Sequence, residues 1–164
     1  MPTQTFDFRK ILRVLLAHRV NFVVIGGVAA VLHGAPLNTR DLDIVHARDK
    51  ENIHRLLAAL ADLDAVYREH LPRRIRPTVS HLASSGHQLL QTKFGSLDLL
   101  GTVSDERDYN ELVKHSKLVN FTKRRKFHLL NLDMLIAVKE KAGRPKDKAV
   151  LPLLRSTLDE NANQ

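Results

Sequence analysis

VIGGVAAVLHGAPLNTRDLDIV, running from Val24 to Val45, is the stretch whose reading decides the fold. It opens inside a short apolar run, Phe22 to Ile25, rich in β-branched residues as a buried strand is. Gly26-Gly27 breaks that run. Val28 to His33 follows as a short helical segment, stopped by Gly34 and Pro36. After the polar loop Leu37 to Arg40, a second strand spans Asp41 to His46. Successive side chains on a strand point to opposite faces, so Asp41 and Asp43 share one face and Leu42 and Ile44 the other. Two neighbouring carboxylates repel each other and call for a cation. Hard oxygen ligands suit Mg²⁺, which takes one or two protein carboxylates and completes its shell with phosphate oxygens and water. The glycine pair leads into a helix start, where free backbone N–H groups and missing Cβ atoms let a phosphate approach. Metal on one side and amide donors on the other is an arrangement for a nucleoside triphosphate.

A third carboxylate fits the same scheme. Asp98 in FGSLDLLG is the only charged residue between Lys93 and Asp105, and a charge within an apolar strand is costly unless paired or bound to metal. The plainer reading is an edge-strand Asp facing water. Three carboxylates could hold two ions, and Asp98 could assist as a base toward an incoming acceptor. His33 caps the end of its helix in preference to touching a nucleotide. Thr39 bonds its own turn or a phosphate. The nine histidines are scattered, with no pair at zinc-ligand spacing.

Outward from this centre, apolar periodicity predicts helices over Phe6 to Val20, Asn52 to Leu60, Asp108 to Lys114, Asn131 to Ala142 and Lys146 to Leu158. The tail from Asp159 is expected to fray. Strands are expected at His87 to Phe94 and Leu97 to Val103, joined through Gly95-Ser96, and at Phe127 to Leu130. Residues 64 to 86 give no clear pattern. The expected architecture is α+β, a short mixed sheet flanked by helices. One domain spans 1–164, with a core over about 22–105 and a C-terminal helical part over about 106–158.

Composition narrows the function. With 164 residues and 43% hydrophobic content, the chain can bury a real core. It has no cysteine, which excludes disulfides and thiolate metal sites and accords with the expected cytoplasmic location. No apolar run is long enough for a membrane span, and Met1 to Lys10 lacks a signal-peptide pattern. The charge is +8, from 26 Lys and Arg against 18 Asp and Glu. The cations cluster at Arg68 with Arg73, Arg74 and Arg76, at Lys123 to Lys126, and at Lys139 to Lys148. Such a balance fits an anionic partner.

The run GGVAAVLHG followed by TRDLDIV resembles the polymerase-beta-type nucleotidyltransferase superfamily, whose pattern is a glycine pair, a spacer, D-x-D and a later Asp. The matching positions are Gly26, Gly27, Asp41, Asp43 and Asp98. LIAVKEKAGRPKD, Leu135 to Asp147, is similar to the C-terminal motif of the abortive-infection-type nucleotidyltransferases, which include toxins of toxin–antitoxin pairs. The resemblance implies that Asp41, Asp43 and Asp98 ligate Mg²⁺, that Gly26 and Gly27 seat the phosphates of an NTP such as ATP or CTP, and that Lys139 faces the triphosphate. Arg144, Lys146 and Asp147 would support it or close the site. Thr39 and Arg40 belong to the same nucleotide side. The chain departs from its relatives at Leu37, where an Arg is common, at Val150, where a second Asp is common, and in having Gly-Gly instead of Gly-Ser. The activity implied is transfer of a nucleoside monophosphate to an RNA, tRNA-like, or protein hydroxyl, in a toxin–antitoxin setting with a cognate partner protein. The alternative is a catalytically weak or inactive module of the same fold that binds RNA or a partner.

Overall fold

The computed structural model describes residues 5–164. Seven strands form one mixed sheet: β1 (Phe22–Ile25), β2 (Asp41–His46), β3 (Val66–Tyr67), β4 (His87–Thr92), β5 (Gly95–Leu100), β6 (Ser116–Asn120) and β7 (Lys126–Leu130). Their spatial order is β3-β4-β5-β2-β1-β7-β6. β2 runs parallel to β5 and β1 parallel to β7, while β1 and β2 are antiparallel. The helices are α1 (Phe8–Ala17), α2 (Gly26–Leu32), α3 (Lys50–Asp62), α4 (Val79–Ala83), α5 (Tyr109–Leu112), α6 (Leu132–Ala142) and α7 (Pro145–Ala162). This is the α+β architecture expected, a mixed sheet flanked by helices.

The central strands carry the core. All four residues of β1 are buried. Leu42 and Ile44 on β2 and Leu97 and Leu99 on β5 have no exposed surface, as period-two alternation with one apolar face demands. α1 contributes Ile11, Leu12 and Leu15 to the same core, and α6 contributes Leu135 and Ile136. α2 packs on β1, β2 and α6, and α6 packs on α7. No helix among the described residues is long and apolar enough to cross a membrane.

Several boundaries differ from the sequence reading. The helix expected from Phe6 starts at Phe8, where Asp7 accepts a hydrogen bond from the Lys10 N–H (3.2 Å) as its N-cap. The glycine pair does not sit outside α2; it forms its first turn, with Gly26 at φ +69°. The β4–β5 turn falls on Lys93 and Phe94, because Thr92 Oγ1 accepts from the Phe94 N–H (3.0 Å) and donates to the Gly95 carbonyl (2.7 Å). Gly95 thereby opens β5. β6 had no counterpart in the sequence reading. The helix from Pro145 continues past Asp159 to Ala162, and there Asn161 Nδ2 donates to the His33 carbonyl (2.9 Å).

Candidate active site

Sheet register assembles the three carboxylates. Ile25 at the end of β1 pairs with Asp43, and Asp43 pairs with Asp98 across the parallel β2–β5 ladder. Asp41, two residues before Asp43, lies on the same face. The three side chains offer oxygens that all lie within 4.8 Å of one another. β5 is an interior strand, so the water-facing edge reading of Asp98 does not apply; its side chain is only 13% exposed.

The electrostatics follow from that crowding. Burial, and then the charges of Asp98 and Asp41, push the Asp43 carboxyl up to about 7, against a partial opposing pull from Lys139. Asp98 has its own partner. Arg68, in the 3₁₀ turn Arg68–His70, donates from Nη1 to Asp98 Oδ1 (3.0 Å) and to the Leu90 carbonyl of β4 (3.0 Å). The guanidinium is therefore anchored to the sheet at the same time as it neutralises one carboxylate. Sequence reasoning did not find Arg68 as a site residue. It placed Arg68 in a basic cluster, and nothing in the local pattern signals a contact with a residue thirty positions downstream.

Gly26 is held against Asp43. A Cβ at position 26 would collide with the Asp43 carboxylate, and its left-handed φ already favours glycine. At position 27 a Cβ would stand 2.7 Å from Thr39 Oγ1. Thr39 Oγ1 donates to the Asp41 carbonyl (3.2 Å), a local turn bond that shapes the approach to β2. His33 is the C-cap of α2, and its Nε2 pairs with the Leu130 carbonyl (2.7 Å), the structural role expected. Burial holds its pKa below the usual value, against the raising effect of that hydrogen bond.

The second half of the site comes from the junction of α6 and α7. Gly143 ends α6 in a left-handed conformation (φ +63°), which redirects the chain so that α7 starts at Pro145. Asp147, in the first turn of α7 and 1% exposed, accepts from Lys139 Nζ (3.4 Å), Arg144 Nε (2.7 Å), Arg144 Nη2 (3.3 Å) and the Arg144 N–H (3.3 Å). Burial would raise the Asp147 carboxyl, but the bonds and charges of Arg144 and Lys139 outweigh it and hold it below the usual range. Asp147 is thus a hub that fixes Lys139 on α6.

A cavity of about 310 Å³ joins the two halves, lined by Gly26 and Asp43 on one side and by Lys139, Arg144 and Asp147 on the other. Leu100, Val103, Leu135 and Val138 supply an apolar wall. Asp41, Asp98, Gly27, Thr39 and Arg40 lie outside this lining, and Arg40 is exposed. The volume lies at the small end of the range of ligand-binding clefts.

No protein-family model matches the sequence, and no curated protein matches it. Solved structures do. A candidate nucleotidyltransferase from Thermotoga maritima superposes with a TM-score of 0.56 at 22% identity, covering 93% of this chain and 91% of that one. The lincosamide antibiotic adenylyltransferase LnuA, solved with lincomycin bound, superposes with a TM-score of 0.60 at 15% identity, covering 94% of this chain and 99% of that one. These likenesses define the fold, which is that of the nucleotidyltransferases.

Proposed function

We propose that the chain transfers a nucleoside monophosphate from an NTP to an acceptor hydroxyl and releases pyrophosphate. The observation that carries this reading is one cavity with Asp43, a member of the carboxylate cluster on β2 and β5, on one side and Lys139, held by Asp147, on the other. A divalent ion fits the carboxylates on two grounds. The donors are hard oxygens, and they crowd within 4.8 Å of one another, where burial and then mutual repulsion penalise the charged Asp43 and a cation would relieve both. Asp41, Asp43 and Asp98 would hold Mg²⁺, which supplies charge neutralisation and orientation of the triphosphate.

The chain's own residues do the rest. Gly26 leaves room for the Asp43 carboxylate at the cavity, and the α2 start that it shares with Gly27 offers N–H donors to the phosphates. Lys139 neutralises charge developing on the triphosphate as the bond to the leaving pyrophosphate breaks. The base lies against Leu135, Val138 and Val103. The acceptor oxygen attacks the α-phosphorus from the Asp98 side and gives up its proton there, while the bond from the α-phosphorus to the β-phosphate bridging oxygen opens. Arg144 and Asp147 position Lys139. ATP or CTP is the donor and RNA or a protein hydroxyl the acceptor, in a toxin–antitoxin setting, as the C-terminal motif suggests.

One observation favours a second reading, a module of this fold with little activity. Val150, where relatives carry a carboxylate, packs against the core instead. The test is incubation with Mg²⁺ and each α-labelled NTP, offering total RNA, lysate protein and lincomycin as separate acceptors. Lincomycin is included because LnuA is a lincosamide adenylyltransferase. Label entering one acceptor class identifies it. Label entering none, with a folded protein, favours the module.

A further inference from the structure

The three basic clusters of the sequence meet different fates in the fold. In the first, Arg68 is taken up by Asp98, and Arg74 and Arg76 both by Asp64. In the third, Lys139 and Arg144 are taken up by Asp147, and Lys141 lies 3.6 Å from Asp105. The middle cluster is spared throughout, whereas in the other two Arg73, Lys146 and Lys148 are the members left without such a partner among the described residues. Among the described residues, no carboxylate lies within ion-pair distance of Lys123, Arg124, Arg125 or Lys126.

These four exposed residues occupy the turn between β6 and β7 and the start of β7. The turn is held by its own bonds: Thr122 Oγ1 accepts from the N–H groups of Arg124 (3.3 Å) and Arg125 (3.2 Å), and the Arg125 carbonyl accepts from the Phe121 N–H (2.8 Å). α1 and the residue pair that follows it add three more cations, Arg9, Arg13 and Arg19. The Arg9 guanidinium lies 5.1 Å from the centroid of the Phe121 ring. Leu16 and Arg19 border a concavity with Arg124, Arg125 and Lys126. Arg13 falls between Arg9 and Leu16 on the same helical stripe, at i+4 from one and i−3 from the other. Arg9, Arg13 and Arg19 are likewise exposed and, among the described residues, without an acidic partner. Two sequence segments a hundred residues apart thus converge on one basic pole.

We infer that this pole is a binding surface for the phosphodiester backbone of nucleic acid, RNA in the first instance. Five of its seven cations are arginines, whose planar forks match phosphate oxygens. Arg9 and Arg13 lie about 6 Å apart along α1 and Arg19 follows just beyond its end, so the pole can meet consecutive phosphates, which lie roughly 3.4 Å apart along each strand of a duplex. A small anion needs no such length. A membrane surface would call for exposed apolar anchors, whereas the apolar members of the pole, Leu16 and Phe121, are half-buried. The β6–β7 turn lies at the other end of the sheet from the carboxylates, while α1 begins beside Phe94, at the Asp41 end. Asn21 precedes β1, and Ile25, four residues on and about 13 Å away, is level with Asp43. The surface therefore stands or falls independently of nucleotidyl transfer.

The experiment is fluorescence anisotropy with a labelled single-stranded RNA and its duplex, across a salt series. The proteins are the wild type, R124A/R125A/K126A, R9A/R13A as a second route into the same patch, and D41A/D43A. Both patch variants are expected to weaken binding by about tenfold or more and to flatten its salt dependence, since each lost phosphate contact removes about 0.7–0.9 from the log–log slope. D41A/D43A is expected to bind as the wild type does. Unchanged binding in folded patch variants overturns the inference. So does wild-type binding of polyglutamate or anionic vesicles as tight as that of RNA at the same salt.

Discussion

At the scale of single residues, the account turns on Asp43. Its folded carboxyl titrates near 7, while an Asp in an unfolded chain titrates near 4. Between those values the folded chain holds a proton that the unfolded chain has released. Asp43 therefore lowers the stability of the metal-free protein progressively as pH rises from about 4 to about 7, and the loss is complete above that. In chelator, D43N should remove this component, so its melting temperature should exceed that of the wild type at pH 8 and the difference should shrink toward pH 4. Mg²⁺ or Mn²⁺ should raise the wild-type melting temperature at pH 8 and leave D43N nearly unmoved. A D43N protein less stable than wild type at pH 8 would contradict this. Gly26 carries a second prediction. A G26A chain must accept a left-handed backbone and displace the Asp43 carboxylate, so it should lose at least about 1–2 kcal/mol of stability together with metal binding, as read by denaturant unfolding and Mn²⁺ titration. Arg68 carries a third. R68A removes a cation from Asp98, so the carboxylate cluster should bind Mn²⁺ more tightly in calorimetry; weaker binding would mean that Arg68 chiefly orders Asp98.

At the scale of elements, legibility in the sequence tracks local determination. β1, β2 and α2 could be read because apolar runs, alternation and glycine breaks are all local signals, and the shared face of Asp41 and Asp43 follows from strand geometry alone. β6 could not. Its sequence SKLVN has only two apolar residues and Leu118 remains 58% exposed, so it is a strand because β7 pairs with it. The same holds for residues 64 to 86, where β3 is two residues long and exists through its ladder with β4. Arg68 became visible as a site residue only when β4 and β5 were laid side by side. Lys139 and Asp147 were legible through motif resemblance, since a lysine on a helix has no distinctive periodic signal. α7 offers a test at this scale. Pro152 sits inside it, exposed, where it removes a backbone donor and crowds the preceding turn. P152A should stabilise the protein by about 1–3 kcal/mol, measured as a rise in denaturant midpoint, because no buried contact is lost.

At the scale of the whole molecule, the sheet separates the carboxylate cluster from the basic β6–β7 turn. The end of β1 near Ile25 brings Asp43, Gly26 and Lys139 around one cavity. The opposite end holds the β6–β7 turn, whose arginines have no acidic partner among the described residues. A long nucleic acid held at the basic pole could reach the cavity without any one small ligand touching both. The central claim, however, concerns the cavity. Its most direct test is pyrophosphate release from ATP and CTP in the presence of total RNA and lysate protein, with Mg²⁺ or with chelator, for the wild type and for D41A/D43A. The account predicts release by the wild type with Mg²⁺ alone, and none with chelator or from the double variant. Equal release by the double variant, or none by a folded wild type under any of these conditions, would contradict it.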